Sequence, residues 1–272
     1  METIAVSDVG STQDNWQVTP YRCTEFGPRQ SRYCICVPVI NEGTKIIQQL
    51  ERMQALRLGA DIILTDGGST DGSTEPERLR GLGVRTLLVK TGPGKLSAQM
   101  RIFFAYALEQ GYDGVVTIDG NGKDGVEAIP SFLQALADGF GFVQGSRYVP
   151  GGKEENTPLD RKLGLKFVHA PLISIAAGFR YTDTTNGFRA FSREFLLDPA
   201  VQPFRDVFDT YNLHYYLSIR APRLKYRVKE LPVTRCYPKS GPTPSKISGL
   251  SGKFAIIQLL WYAVIGRYNP QP

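Results

Sequence analysis

Short runs of apolar residues alternate along the chain with segments in which apolar residues recur every three or four positions. The runs 33–39, 61–66 and 114–119 are rich in β-branched residues and end in turns of small or polar residues, which predicts buried strands. The segments 44–56 and 96–109 have helical spacing. Strands that alternate with helices predict an α/β fold with a mostly parallel sheet flanked by helices, whose ligands gather beyond the carboxyl ends of the strands.

The two ends of the chain depart from this alternation. Residues 1–31 are polar, with frequent Gly and Pro, and predict an N-terminal extension that wraps the domain or stays mobile. We assign 32–250 to one domain and 251–272 to a C-terminal apolar helix. The apolar run 254–266 is well short of the roughly 20 residues that span a bilayer. It is either a core helix or a helix in a membrane interface, with Trp261 at headgroup depth.

Composition narrows the possible partners. The net charge of +6 and the pI near 9.1 favour an anionic partner, such as a nucleotide, a lipid phosphate or a membrane surface, and no nucleic-acid motif accompanies the charge. The four cysteines lack the spacing of a zinc site, and the absence of a secretory leader predicts reduced thiols in the cytoplasm. The histidines, His169 and His214, lack metal-ligand companions and receive no chemical role.

Candidate binding residues follow three of the predicted strands. Asn41 and Glu42 offer hydrogen bonds to a base or a ribose, although such a pair also caps helices. Asp66 adds a carboxylate before a Gly-rich turn that lets a ligand approach closely. Asp119 and Asn121 carry oxygen ligands two residues apart, with glycines between and after them, a pattern that suits a hard cation and a phosphate. The sequence therefore places a nucleotide and a metal at one rim of the sheet.

Taken in this order, the three segments resemble the family-2 glycosyltransferases, in particular the branch of dolichyl-phosphate mannose synthase and the bacterial polyprenyl-phosphate sugar transferases. The resemblance implies a GT-A (Rossmann-like) fold with N- and C-terminal extensions, and it covers about 33–250. Four further segments match that branch, namely 144–148 (QGSRY), 183–189 (DTTNGFR), 229–233 (KELPV) and 245–246 (SK).

The resemblance also implies roles for single residues. It implies a donor site formed by Pro38, Asn41, Glu42, Asp66, Gly68, Lys95, Asp119 and Gly120. It implies a Mg²⁺ or Mn²⁺ site at Asp119, Asn121 and Asp124. It implies phosphate or acceptor contacts from Arg147, Asn186, Arg189, Arg235 and Lys246. It implies catalytic roles for Asp119, Arg147 and Asp209.

Three positions depart from the pattern of the branch. Gly67 stands where many relatives have a second Asp, which removes one contact to the donor. Asn121 replaces the second Asp of a D-x-D motif but keeps an oxygen for the cation, and Asp124 could compensate directly or through water. The acidic residue that many relatives have on a later helix corresponds to either Asp209 or Asn212.

The resemblance implies an inverting, metal-dependent transfer of a sugar from a UDP- or GDP-linked donor to a polyprenyl phosphate, by an enzyme at the inner face of the membrane. Basic residues between 223 and 253 form either a solvated face or a wall that collects phosphates. A soluble hydroxyl acceptor (a saccharide, a natural product or a protein) stays open, as does a non-catalytic nucleotide-sugar binding module. A nucleotidyltransferase is disfavoured because its Gly-Gly-x-Gly-x-Arg loop is missing after the first strand. The oligomeric state is not encoded in any motif.

Overall fold

The structure, a computed structural model, describes residues 5–9, 15–238 and 249–271, with the backbone alone for 5–9 and 249–253. The strands are β1 (Ala5–Val9), β2 (Tyr21–Glu25), β3 (Tyr33–Val39), β4 (Asp61–Asp66), β5 (Val84–Lys90), β6 (Gly114–Thr117), β7 (Phe142–Ser146), β8 (Lys153–Glu155), β9 (Arg189–Ser192), β10 (Val228–Pro232) and β11 (Thr234–Cys236). The α-helices are α1 (Thr44–Ala55), α2 (Pro76–Gly81), α3 (Leu96–Glu109), α4 (Ile129–Ala137), α5 (Leu159–Gly164), α6 (Ala170–Ala177), α7 (Arg193–Leu197), α8 (Asn212–Arg223) and α9 (Gly249–Val264).

A nine-stranded sheet runs in the order β1-β2-β5-β4-β3-β6-β9-β7-β10, and β8 pairs with β11 beside it. The strands β5, β4, β3 and β6 are parallel neighbours, as the alternation of strands and helices predicts. Antiparallel pairings occur where β9 lies between β6 and β7 and where β2 joins β5. The α/β class is confirmed, and the sheet is parallel at its centre and mixed towards its edges.

Part of the predicted N-terminal extension belongs to the sheet. Tyr21 on β2 is only 1% exposed, and the ring of Trp16 stacks on Phe204 at a centroid distance of 3.9 Å. These contacts bury large apolar surfaces, each contributing about 1.5–3 kcal/mol. The segment from Trp16 to β2 is therefore an edge of the domain.

Two apolar layers cover the faces of the sheet. On one face α1 buries Ile46, Leu50 and Met53, which recur at helical spacing, and α4 packs nearby. On the other face α3 is buried almost all round, because it lies between the sheet and α8. The C-terminal helix α9 packs on α6 and α8 with one side only. Within the described ranges, no helix is long and apolar enough to cross a bilayer.

Candidate active site

The loops after β3 and β4 are tied to each other at the carboxyl edge of the sheet. Asn41, whose φ is 51°, donates its backbone N–H to Ser69 Oγ (2.9 Å) and accepts at Oδ1 from the N–H of Thr70 (2.8 Å). Asp71 accepts from the backbone N–H of Gly43 (2.8 Å). Asparagine tolerates the left-handed region better than most residues, so it suits this position. The two predicted donor loops therefore form one rigid unit, with Glu42 half-buried between Asn41 and Gly43.

The carboxylate of Asp66 accepts hydrogen bonds from the loop that follows it. Its Oδ1 accepts from the N–H groups of Gly68 (3.0 Å) and Ser69 (2.8 Å), and its Oδ2 accepts from Thr74 Oγ1 (2.8 Å). The carboxylate is buried, so these bonds satisfy it inside the protein. Its observed contribution to the predicted donor site is to fix the shape of the Gly-rich loop.

Gln99 on α3 lies beneath the same two loops, and the sequence analysis missed it. Its Nε2 donates to the carbonyl oxygens of Val39 (3.0 Å) and Thr65 (2.9 Å), near the ends of β3 and β4. A Cβ on Gly67 would lie 3.2 Å from that nitrogen and 3.3 Å from Ile40. Gly67, at the position of the second Asp in the family pattern, therefore lies where Gln99 and Ile40 leave little space for a side chain.

Asp119 follows β6 at the same edge, and Arg235 joins it to Asp124. One guanidinium nitrogen of Arg235 lies 3.2 Å from Asp119 Oδ2, and the other donates to Asp124 Oδ2. Burial alone would lower the pKa of Arg235, but the attraction of Asp124 and Asp119 raises it, so the guanidinium stays charged. The Asp119 side chain is 26% exposed, whereas that of Asp124 is fully buried. Asp119 is thus the carboxylate of this group that a ligand can reach.

The predicted cation ligands differ in how well they fit a metal. Asn121 turns its amide nitrogen towards Asp119 Oδ2 (3.4 Å), and its Oδ1 accepts from the N–H of Lys123 (3.2 Å) while keeping a second lone pair. Asp124 is held beneath Arg235, away from solvent. In the part of the chain that is described, no cluster of three His, Cys, Asp or Glu residues could hold a metal. Asp119 and Asn121 fit a cation that takes its remaining ligands from a diphosphate and water.

Gly120 serves the packing of the Asp119 loop. Its N–H donates to the carbonyl of Pro38 (3.3 Å), and a Cβ there would come within 3.0 Å of the Val39 side chain. The loop after β6 can therefore lie directly on β3 only without a side chain at this position.

Two of the arginines that were predicted to contact the acceptor, Arg147 and Arg189, form hydrogen bonds within the protein. Arg147 forms a bidentate pair with Asp183 (2.6 and 3.0 Å), and both side chains are buried. Arg189 is 1% exposed and donates to the carbonyls of Thr184 (2.9 Å) and His214 (2.8 Å). Its burial lowers its pKa to about 10. Both guanidinium groups are therefore bound to groups of the 183–189 segment, and their contact with an acceptor stays a prediction.

Asn186 and Asp209 also form hydrogen bonds within the protein. Asn186 is buried, and its Oδ1 accepts from the N–H of Phe188 (2.9 Å). Asp209 accepts from the backbone N–H of the exposed Lys95 (3.1 Å) at the start of α3, so it fixes that helix end. Lys246 lies outside the described residues.

Tyr237 lies at the centre of a group of cations, another feature that the sequence did not reveal. Its ring lies 5.3 Å from Lys123 Nζ and 5.7 Å from the guanidinium carbons of Arg161 and Arg235. Burial alone would raise the pKa of Tyr237, but Arg235 and Arg147 lower it. These positive charges converge from α5, from β11 and from the turn after Asp119, which no local pattern relates.

Comparisons with known proteins show which proteins the chain resembles in sequence. No protein-family model matches the chain. The chain is 28% identical to the undecaprenyl-phosphate mannosyltransferase of Micrococcus luteus, over 88% of this chain and 96% of the relative. It is 30% identical to the dolichyl-phosphate hexose transferase of Haloferax volcanii, over 64% of this chain and 69% of the relative.

The chain belongs to the family-2 glycosyltransferases, in the branch that includes the dolichyl- and polyprenyl-phosphate sugar transferases. A glycosyltransferase of known structure, the glucosyl-3-phosphoglycerate synthase of Mycobacterium tuberculosis, superposes with a TM-score of 0.60 at 18% identity, over 88% of this chain and 80% of that one. This likeness confirms the GT-A fold. The same synthase has been crystallised with Mn²⁺ and UDP. The site at the carboxyl edge of β3, β4 and β6 is therefore the candidate active site of a glycosyltransferase.

Proposed function

We propose that this glycosyltransferase transfers a sugar, with inversion, from a UDP- or GDP-linked donor to the phosphate of a polyprenyl phosphate at a membrane surface. The observation that carries the proposal is an exposed apolar face connected to Asp119 by a path of basic side chains. The names of the relatives, which include a polyprenol monophosphomannose synthase of Mycolicibacterium smegmatis (27% identical, over 88% of this chain and 89% of the relative), support the same acceptor.

The first half of the apolar face lies on the continuous helix formed by α5, a π-helical turn (Leu165–His169) and α6. Leu159, Phe167 and Ile175 are 69%, 66% and 74% exposed. Large apolar side chains this exposed on one helix mark an interaction surface. Exposed basic residues, Lys162 and Lys166, lie on the same helix and suit an anionic headgroup layer.

The second half lies on α9, which packs against α6. Leu260 and Ala263 are buried, while Phe254, Ile257 and Trp261 are exposed and recur at helical spacing. One side of α9 thus belongs to the core and the other is available to lipid. This supports the interfacial interpretation of the C-terminal helix.

The basic path begins on α5. Arg161 lies on the same helix as the exposed apolar residues, and its guanidinium lies over the ring of Tyr237. The same ring contacts Arg235, which is paired with Asp119. A lipid whose tail lies on the apolar face could therefore extend a phosphate towards Asp119 among cations that are already in place. A phosphate oxygen is anionic at neutral pH, so little help from a general base is needed.

The donor is proposed to lie over the loops after β3, β4 and β6. The bonds between Asn41 and the Ser69 loop hold the first two loops, and Gln99 supports them from below. Asp119 and Asn121 would hold Mg²⁺ or Mn²⁺, which when bound neutralises the donor's diphosphate. Asp124 is left out of this cation site, since its carboxylate pairs with Arg235.

Product analysis tests the proposal. Purified protein is incubated with Mn²⁺ or Mg²⁺, a panel of UDP- and GDP-linked sugars and undecaprenyl phosphate, beside an Asp119→Ala variant. We expect a glycosyl phospholipid that requires the metal, and at least a 100-fold lower rate in the variant, as when a charge-stabilising group is removed from an active site. Released nucleotide without a lipid product would move the acceptor to a soluble hydroxyl compound. No nucleotide release with any donor would contradict catalysis.

A further inference from the structure

A cleft of about 340 Å³ opens beside the turn that follows Asp119. Its walls come from one side of α1, from the turn 121–123 and from the end of β11 with the two residues beyond it. Among the predicted donor and metal residues, only Asn121 lines it. We infer that this cleft binds a phosphate group, at a site separate from that of the donor nucleotide.

The first argument is a buried donor without a partner. Gln49 on α1 is 1% exposed, lines the cleft and accepts at Oε1 from the N–H of Gly122 (3.1 Å). Its Nε2 is buried and has no hydrogen-bond partner. Because the bond to Gly122 fixes the amide, the Nε2 direction is also fixed. An unsatisfied buried donor destabilises the protein, and an oxyanion in the cleft would supply the missing acceptor.

The second argument is the charge of the lining. Lys45, Arg52 and Lys123 contribute three cations, of which Arg52 is paired with Glu127 (2.6 Å). A fixed amide donor and two lysines in the lining of one cleft are a suitable set for the oxygens of a phosphate.

The third argument is position. Tyr237 lines the cleft and also belongs to the basic path from α5 to Asp119. The cleft is thus adjacent to the proposed route of the acceptor. The phosphate that it binds could belong to the acceptor lipid or to a free phosphate ion, because both present the same oxygens.

Calorimetric titration with inorganic phosphate tests the site without any sugar transfer, so its outcome is independent of the proposed function. We expect saturable binding by the wild type and a weakening of about tenfold or more in Lys45→Glu, whose side chain is exposed. Arg78→Glu, an exposed position on α2, makes the same change in net charge and should match the wild type. No saturable binding in the millimolar range, or equal weakening by both variants, would overturn the inference.

A second variant tests the buried amide. Gln49→Glu keeps an oxygen for the N–H of Gly122 and replaces the unpaired donor by an acceptor, so phosphate binding should again fall about tenfold or more. Unchanged phosphate binding in this variant, with a native circular dichroism spectrum, would overturn the role of Gln49. If the variant does not fold, the comparison of Lys45→Glu with Arg78→Glu decides.

The source of the phosphate is separated by competition. Calorimetry is repeated in the presence of vesicles that contain undecaprenyl phosphate. Loss of the phosphate signal, together with a higher KM for the lipid in Lys45→Glu, assigns the cleft to the acceptor. A preserved signal with an unchanged KM assigns it to a free phosphate.

Discussion

Asp119 occupies space that exists because residue 187 has no side chain. A Cβ on Gly187 would come well within 3.0 Å of the Asp119 carboxylate. The carboxylate, on the turn after β6, and the glycine, just before β9, meet because these two strands pair antiparallel. The glycine of the G-F-R segment is therefore required to make room for Asp119, a steric role that the sequence alone did not reveal.

Gly187→Ala is expected to lower kcat/KM about 100-fold while the protein stays folded, because the methyl group displaces the carboxylate of Asp119 and a displacement of about 1 Å can cost that much. Gly81→Ala is the matched control, since a Cβ there meets nothing within 4 Å. Steady-state kinetics and thermal unfolding of both variants make the comparison. Equal activity of the two variants would show that the position of Asp119 is not critical.

Both histidines are buried, at 7% exposure each. His169 contacts Thr184 Oγ1 through Nδ1 (2.7 Å), and burial together with the nearby Arg189 lowers its pKa to about 4. Burial also lowers the pKa of His214 well below its ordinary value. Since each histidine binds fewer protons in the folded protein than in the unfolded chain, acid favours unfolding.

The free energy of unfolding should therefore fall as the pH drops from 6.5 towards 4, by up to about 1.4 kcal/mol per pH unit for His169. Above pH 6.5 this histidine adds no slope. His169→Asn keeps a polar atom near Thr184 and removes the titration, so its unfolding curve should depend less on pH in this window. Urea titrations at several pH values measure the effect, and identical slopes in the two proteins would contradict it.

At the scale of elements, the π turn between α5 and α6 shapes the apolar face. The exposed apolar residues of this helix are separated by multiples of four residues, namely Leu159, Leu163, Phe167 and Ile175. On an α-helix, each interval of four residues rotates the side-chain direction by about 40° beyond one full turn. A π turn holds more residues per turn and reduces that drift. The exposed apolar side chains therefore stay closer to one side of the helix than an uninterrupted α-helix would allow.

Replacing Phe167 and Trp261 by Ser should weaken binding to vesicles of anionic lipid about 100-fold or more, because each ring contributes about 1.5–3 kcal/mol when it is buried. Both side chains are exposed, at 66% and 53%, so the fold should persist. Leu56→Ser, which removes another exposed apolar residue outside this face, is the control. Sedimentation with vesicles measures binding, and the double variant should retain its rate with a short, water-soluble prenyl phosphate. Undiminished sedimentation would remove the apolar face from the proposal.

At the scale of the whole molecule, the sheet separates the tasks of the enzyme. Its carboxyl edge brings the loops after β3, β4 and β6 together, while α6 and α9 form an exposed apolar surface beside α8. Arg161 and Tyr237 connect these two regions. This arrangement agrees with the proposed function, in which a water-soluble donor and a lipid acceptor approach Asp119 from different sides.

Local patterns were sufficient for much of the architecture. Runs of apolar residues predicted the strands β3 and β4, and helical spacing predicted α3 with the bounds that the structure has. These predictions succeed because burial and helical periodicity act over short stretches of chain. The motif residues fall at the strand ends for the same reason. Motif order also predicted the glycosyltransferase family and the GT-A fold, which the comparisons confirm.

Tertiary structure alone decided which groups meet. It placed β2 between β1 and β5, and β9 between β6 and β7, since strand partners are chosen across the whole chain. It paired Arg147 with Asp183 and Arg235 with Asp124, which are ion pairs that no local pattern of residues predicted. The strength of such pairs depends on distance and burial in space, and neither quantity is written in the order of residues.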